Sequence, residues 1–205
     1  MRGGSKNKLH RWLFSIFVRP LNFRHEENIL MTPNDQQEPW LRGTLTDLPA
    51  VPRAVIHALE LAREDLDKWC GDLSDAELNA RVSGIAPVAF HLKHIGGSMD
   101  RLLTYAEGSQ LTAEQIAAMK SELDSVNTGK EIFAELHAAF DRSVRRIRTL
   151  AAANMEEARG VGRKQFPTSI GGLLVHVADH TQRHVGQAIT TAKIVRDTHR
   201  SHPAV

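Results

Sequence analysis

From Pro49 onward, apolar residues return every three or four positions in four long runs, a period that suits helices and not pleated strands. Leu48, Val51, Val55, Ala58, Leu59, Ala62, Leu66 and Trp69 make the first stripe, which stops at Gly71. The second run is predicted to start at Pro87, whose missing N–H suits a first helical turn, and to continue to about Glu107, where Gly108 ends it. Ile132, Leu136, Ala139, Phe140, Val144, Ile147 and Leu150 mark the third. The fourth runs from Ile170 to about Arg196, with Thr168 or Ser169 placed to cap it. Capping boxes at Ser74 to Glu77, Thr112 to Gln115 and Thr128 to Glu131 open two short helices and the third long one. The stretch from Asn154 to Phe166, with Gly160, Gly162 and the following Pro167, reads as a loop. There is no sustained period-two alternation and no Asn-Gly or Asp-Gly hairpin. The expected fold is therefore all-α, a four-helix bundle with short additional helices, an architecture that builds metal sites from side chains on facing helices. About twenty residues with a short helix of their own separate the second and third long helices, and such a connection can cross the bundle.

A chain of 205 residues suits one domain with a sizeable core. The organisation expected is a basic N-terminal extension over 1–35, a bundle domain over 36–197 and a frayed tail over 198–205. The formal charge of +2 is unevenly spread. Residues 1–30 hold six basic side chains against Glu26 and Glu27, so the rest carry 20 basic and 22 acidic ones. The bundle is thus slightly acidic, and its charge gives no reason to expect nucleic-acid binding. The leader joins its charge to the apolar run Trp12 to Val18, which suggests a signal peptide or a surface-binding segment, yet no small-residue cleavage site follows. Met31 offers a plainer account, with translation starting there. A single cysteine, Cys70, excludes an intramolecular disulfide and any cysteine-built zinc cluster, and fits a reducing cytoplasm. No apolar run is long enough to span a membrane.

Within the fourth helix, His176, His180 and His184 stand four residues apart, so their imidazoles lie one above another on a single face. Three imidazoles in register point to metal, because imidazole is the commonest protein ligand for zinc and also serves nickel, copper and iron. The plain alternative is a solvated or hydrogen-bonded histidine face. Two histidines on one helix leave a site incomplete, and His91 and His94 in the second helix are candidates for the third ligand; spacing alone does not choose between them.

The segment from Pro87 to Ile95 (PVAFHLKHI), followed some eighty residues later by His176 to Gln187 (HVADHTQRHVGQ), resembles the DinB-like superfamily, which includes bacillithiol and mycothiol S-transferases. The match runs from about Trp40 to Arg196. The resemblance implies an up-down-down-up four-helix bundle, often dimeric, with a three-histidine divalent metal site. It maps the ligands onto His94, His180 and His184, leaving His91 as second choice for the first. His91 and His176 then line the mouth of the cavity, support a ligand, or simply pack. Gln187 either bonds a ligand imidazole or a bound water, or is a surface amide, and Gly186 is placed to permit close helix approach. Asp100 and Asp179 are either imidazole-orienting acceptors or solvated carboxylates.

The implied activity is metal-dependent: a thiol transferase or a hydrolase, with zinc, nickel, manganese or iron lowering the pKa of a thiol or water, a small-molecule substrate, and a low-molecular-weight thiol as partner. Against it stands a non-catalytic, dimeric, metal-stabilised binding or structural module. Other candidates carry less. Cys70 reads as a packing residue, and His57 and His137 as surface or core residues. Arg145, Arg146 and Arg148 could draw an anion but fit a solvated face better. Gly96 to Asp100 begins like a nucleophile elbow, but it lies mid-helix and lacks the second glycine.

Overall fold

The structure, a computed structural model, describes residues 37–123 and 127–201, with side chains described to residue 198. After a 3-10 turn at Pro39–Leu41 come α1 (Ala50–Cys70), α2 (Asp75–Asn79), α3 (Val88–Ala106), α4 (Ala113–Ser121) and α5 (Gly129–Leu150). A hairpin of β1 (Ala158–Val161) and β2 (Phe166–Ser169) leads into α6 (Ile170–Ser201). The basic extension expected over 1–35 falls outside the described residues, and α6 continues past the expected end at Arg196.

All three capping boxes form, each with a Ser or Thr side chain accepting from the third helical N–H and a Glu or Gln side chain accepting in return from the cap N–H. Pro87 sits one residue before α3, as its cap. Gly108, at φ +84°, takes the left-handed turn that ends the helix, a conformation glycine adopts without steric cost. Ser169 Oγ accepts from Gly172 N at 3.1 Å and so caps α6.

Where a loop was expected between Asn154 and Phe166, an antiparallel hairpin forms. Its register pairs Ala158 with Ser169 and Val161 with Phe166. Strands of four residues are too short to display an alternation, and the turn uses a glycine at the other end from an Asn-Gly pair: Gly162 at φ +69° and Gln165 at φ +50° reverse the chain. Pro167, which cannot donate to a ladder, is tolerated because the ribbon has only two strands and both are edges.

The four long helices carry the core. α3 packs against α6 on one side and α5 on the other, and α1 completes the arrangement by touching both α6 and α5. Their apolar rows meet inside: Ile56, Leu59 and Leu66 from α1, Leu92, Ile95, Met99 and Leu103 from α3, Phe140 and Ile147 from α5, and Leu174, Val177 and Ala188 from α6. Polar ties cross the same seams. Arg146 of α5 holds Asp100 of α3 and Glu107, the residue that follows α3, at 2.7 Å each, and Gln182 of α6 donates to Ala58 O of α1 at 2.8 Å. Among the described residues no helix is long and apolar enough to cross a membrane. Because Leu174 is fully buried, Leu174→Ala should cost about 2–5 kcal/mol of stability, read as a lower urea midpoint with an unchanged denaturant slope.

Candidate metal centre

The face-to-face packing of α3 and α6 brings His94 against His180 and His184. The His94 and His180 Nε2 atoms lie 3.0 Å apart. One ligand atom from each of His94, His180 and His184 falls within 4.8 Å of the other two, so the three could hold a metal ion. An ion with bonds of about 2.0–2.1 Å in tetrahedral geometry separates its ligands by roughly 3.3 Å, close to the 3.0 Å between the His94 and His180 nitrogens. The donor set is also right in kind, three imidazoles and no thiolate. His91 Nδ1 meets His184 Nδ1 at 3.2 Å. Phe90 stacks on the His94 ring at 5.3 Å and an interplanar angle of 20°.

His176 stands one turn away, half exposed, its ring 5.5 Å from that of His180 and its Nδ1 3.5 Å from Asp179. Asp179 also pairs with Arg183 at 2.7 Å. Asp100 touches no imidazole; it holds Arg146 and Gln115. Gln187 is on the exposed face of α6. Gly186 is exposed as well, with open space where a Cβ would stand, so it permits no close approach; the helix crosses its neighbour on the other face. His57 is buried against Thr44 Oγ1 at 3.1 Å, and His137 is half-buried and bonded to Asp67 at 2.7 Å. Arg146 is spent on α3, and Arg148 pairs with Asp47.

The residue that sequence reasoning missed is Glu122, just past α4. Its Oε2 accepts from His94 Nδ1 at 2.6 Å and its Oε1 from Arg101 Nη1 at 2.6 Å, and the side chain is only 8% exposed. Nothing periodic surrounds Glu122 in the sequence. The available signal was the Gly96-Gly97 pair inside α3, since a mid-helix glycine costs about 1 kcal/mol and calls for a reason. A Cβ at Gly96 would meet Ala139 Cβ of α5 at 3.3 Å, and one at Gly97 would meet Glu122 Oε1 at 2.6 Å.

The electrostatics disfavour protonation of His91, His180 and His184. Burial, reinforced by the repulsion that protonation would create with His184 and His94, pushes His91 down to about 4. Burial and the same neighbours, with His176 and Arg183, push His180 down to about 4, and His184 is lowered by burial, His94 and Arg183. Burial works to raise the Glu122 carboxyl, but the hydrogen bonds from His94 and Arg101 outweigh it and hold it below the usual value. Cys70, by contrast, is a fully buried thiol raised to about 12 by burial. Neutral imidazoles are what a metal requires. They also set a pH dependence. The unfolded chain protonates His91 and His180 near 6.5 and the folded chain near 4, so the unfolded state binds more protons in between, and stability falls as the pH drops across that window. Chelator-treated protein should lose urea resistance between about pH 6.5 and 4, and His91→Gln should lose less.

Residues 58–188 match the model of the DinB superfamily. A crystal structure of a conserved protein from Enterococcus faecalis shares the fold with a TM-score of 0.54 at 19% identity, over 73% of this chain and 99% of that one. No curated protein matches the chain. With well over half of its length accounted for, and the histidines of α3 and α6 both inside the matched segment, the chain belongs to the DinB superfamily.

Proposed function

We propose that this chain is a divalent-metal protein in which His94, His180 and His184 hold one ion of zinc, nickel, manganese or iron, and that the site serves a metal-dependent enzyme acting on a thiol or water, as an S-transferase or a hydrolase. The observation that carries this reading is the 3.0 Å approach of two Nε2 atoms from different helices, with a third imidazole in reach. Such an ion, with three neutral ligands and open positions, lowers the pKa of a thiol or water. The chain's own contribution is positional. α6 presents His180 and His184 one turn apart, α3 supplies His94 from the opposite side, and His91 meets Nδ1 of His184. His180 Nδ1 is buried without a partner.

This reading includes a small-molecule substrate, a low-molecular-weight thiol as co-reactant, a homodimer in the cytoplasm, and residues 36–197 as one bundle domain with the long helices in up-down-down-up order. Acid-digested, tag-free protein should contain about one divalent ion per chain. Metal content that survives in the His180→Ala, His184→Ala double variant sinks the proposal.

A second reading has support in the same contact, because an ion held by α3 and α6 would clamp two helices that already pack together. A metal-stabilised binding or structural module, dimeric and non-catalytic, would then suffice. Adding zinc or nickel to chelated protein raises the melting temperature on either reading. Turnover of thiol with an electrophile, or of an ester, belongs to the enzyme alone, and its absence across the four metals would favour the module.

A further inference from the structure

We infer that Glu122 is the positioning residue of this centre: its carboxylate, aimed by Arg101 into the space left by Gly97, keeps the His94 proton on Nδ1 and so presents the Nε2 lone pair to His180 and His184. The inference rests on the three-histidine reading above and adds to it a residue from outside the two ligand-bearing helices.

Three observations converge on it. The carboxylate is buried, and both of its oxygens are taken, Oε2 by His94 Nδ1 and Oε1 by Arg101 Nη1, each at 2.6 Å. Arg101 is itself 8% exposed, so a buried guanidinium and a buried carboxylate fix each other. Gly97, one turn along α3 from His94, has no room for a Cβ, which would sit 2.6 Å from Glu122 Oε1 and 2.7 Å from Arg101 Nη1. A methyl group there would displace the carboxylate. The mid-helix glycine is therefore explained by the Glu122 seat.

An imidazole can bind an ion through Nε2 only when that nitrogen carries no proton. A carboxylate is purely an acceptor, so at Nδ1 it requires the N–H to be there. An amide would not impose this. A glutamine at 122 has one oxygen for two donors, and the charged Arg101 N–H claims it. The amide NH2 then faces His94 Nδ1, and the ring proton moves to Nε2, where it obstructs the centre.

Glu122→Gln in the full chain tests this, with Co(II) titration followed by its visible absorption and with imidazole tautomers read from 15N–1H spectra of metal-free protein at about pH 8. Expected is Co(II) affinity about 10- to 100-fold weaker than the wild type, with the His94 proton on Nδ1 in the wild type and on Nε2 in the variant. Gly97→Ala, which keeps the carboxylate but crowds it, should shift both measurements in the same direction and serves if Glu122→Gln does not fold. Co(II) binding by the variants equal to that of the wild type, or a wild-type His94 protonated on Nε2, overturns the inference. A merely structural glutamate would lower the melting temperature and leave the tautomer unchanged. If the wild-type chain takes up no Co(II), the metal reading fails, and the tautomer comparison alone decides whether Glu122 governs His94.

Discussion

Two imidazole nitrogens from positions 86 residues apart meet at 3.0 Å, and they do so only because α3 and α6 lie against each other. Their apolar rows are set to seal that seam. Leu92, Ile95, Met99 and Leu103 lie on α3, and Leu173, Leu174, Val177, Val185, Ala188 and Ala192 on α6, all buried. The rows stop short of a dry interface at one level, where His91, His94, His180 and His184 replace leucine-like residues on both sides. If the helices slid by one turn, His94 would lose one of the two imidazoles on α6 that it now reaches. Packing of the hydrophobic rows is thus the force that holds the register of the polar layer.

That layer is costly for a bundle to keep. Buried polar atoms want partners, and an unmade hydrogen bond on one costs roughly 1–3 kcal/mol. Here His180 Nδ1 and Thr181 Oγ1, neighbours on α6, are buried with none. The His91–His184 contact, the Glu122–His94 contact and the Arg101 pair satisfy most of the remainder. A sequence selected for stability alone would fill the layer with apolar side chains of similar volume. Unsatisfied polar atoms of this kind in an otherwise apolar interior are the departures from packing rules that functional sites introduce.

The sequence made the helices legible because their signals are local. Three capping boxes, the stop at Gly108 and the apolar stripes each occupy a few consecutive residues, and each formed as read. The histidine ladder was legible for the same reason, since the i to i+4 relation is fixed by the helix itself. Choosing His94 over His91 required the family resemblance, because both lie on neighbouring parts of one face of α3. His94 reaches His180, whereas His91 reaches Nδ1 of His184. The hairpin was hidden because four-residue strands leave no periodic trace. Glu122 was hidden because its role depends on where an irregular connection crosses α3, which no spacing in the chain records.

The burial of Cys70 has a consequence for sulfur chemistry around this protein. The only thiol in the chain is sealed at the C-terminus of α1, with its pKa raised to about 12. At neutral pH it is neither a thiolate nor reachable, so it cannot compete for soft metal ions, form mixed disulfides with a small thiol, or cross-link two copies of the chain. Sulfur chemistry in the protein's surroundings passes the polypeptide by. Any thioether or disulfide that appears when thiols and electrophiles are supplied must take its sulfur from solution, and thiol-directed reagents find no open thiol on the folded chain.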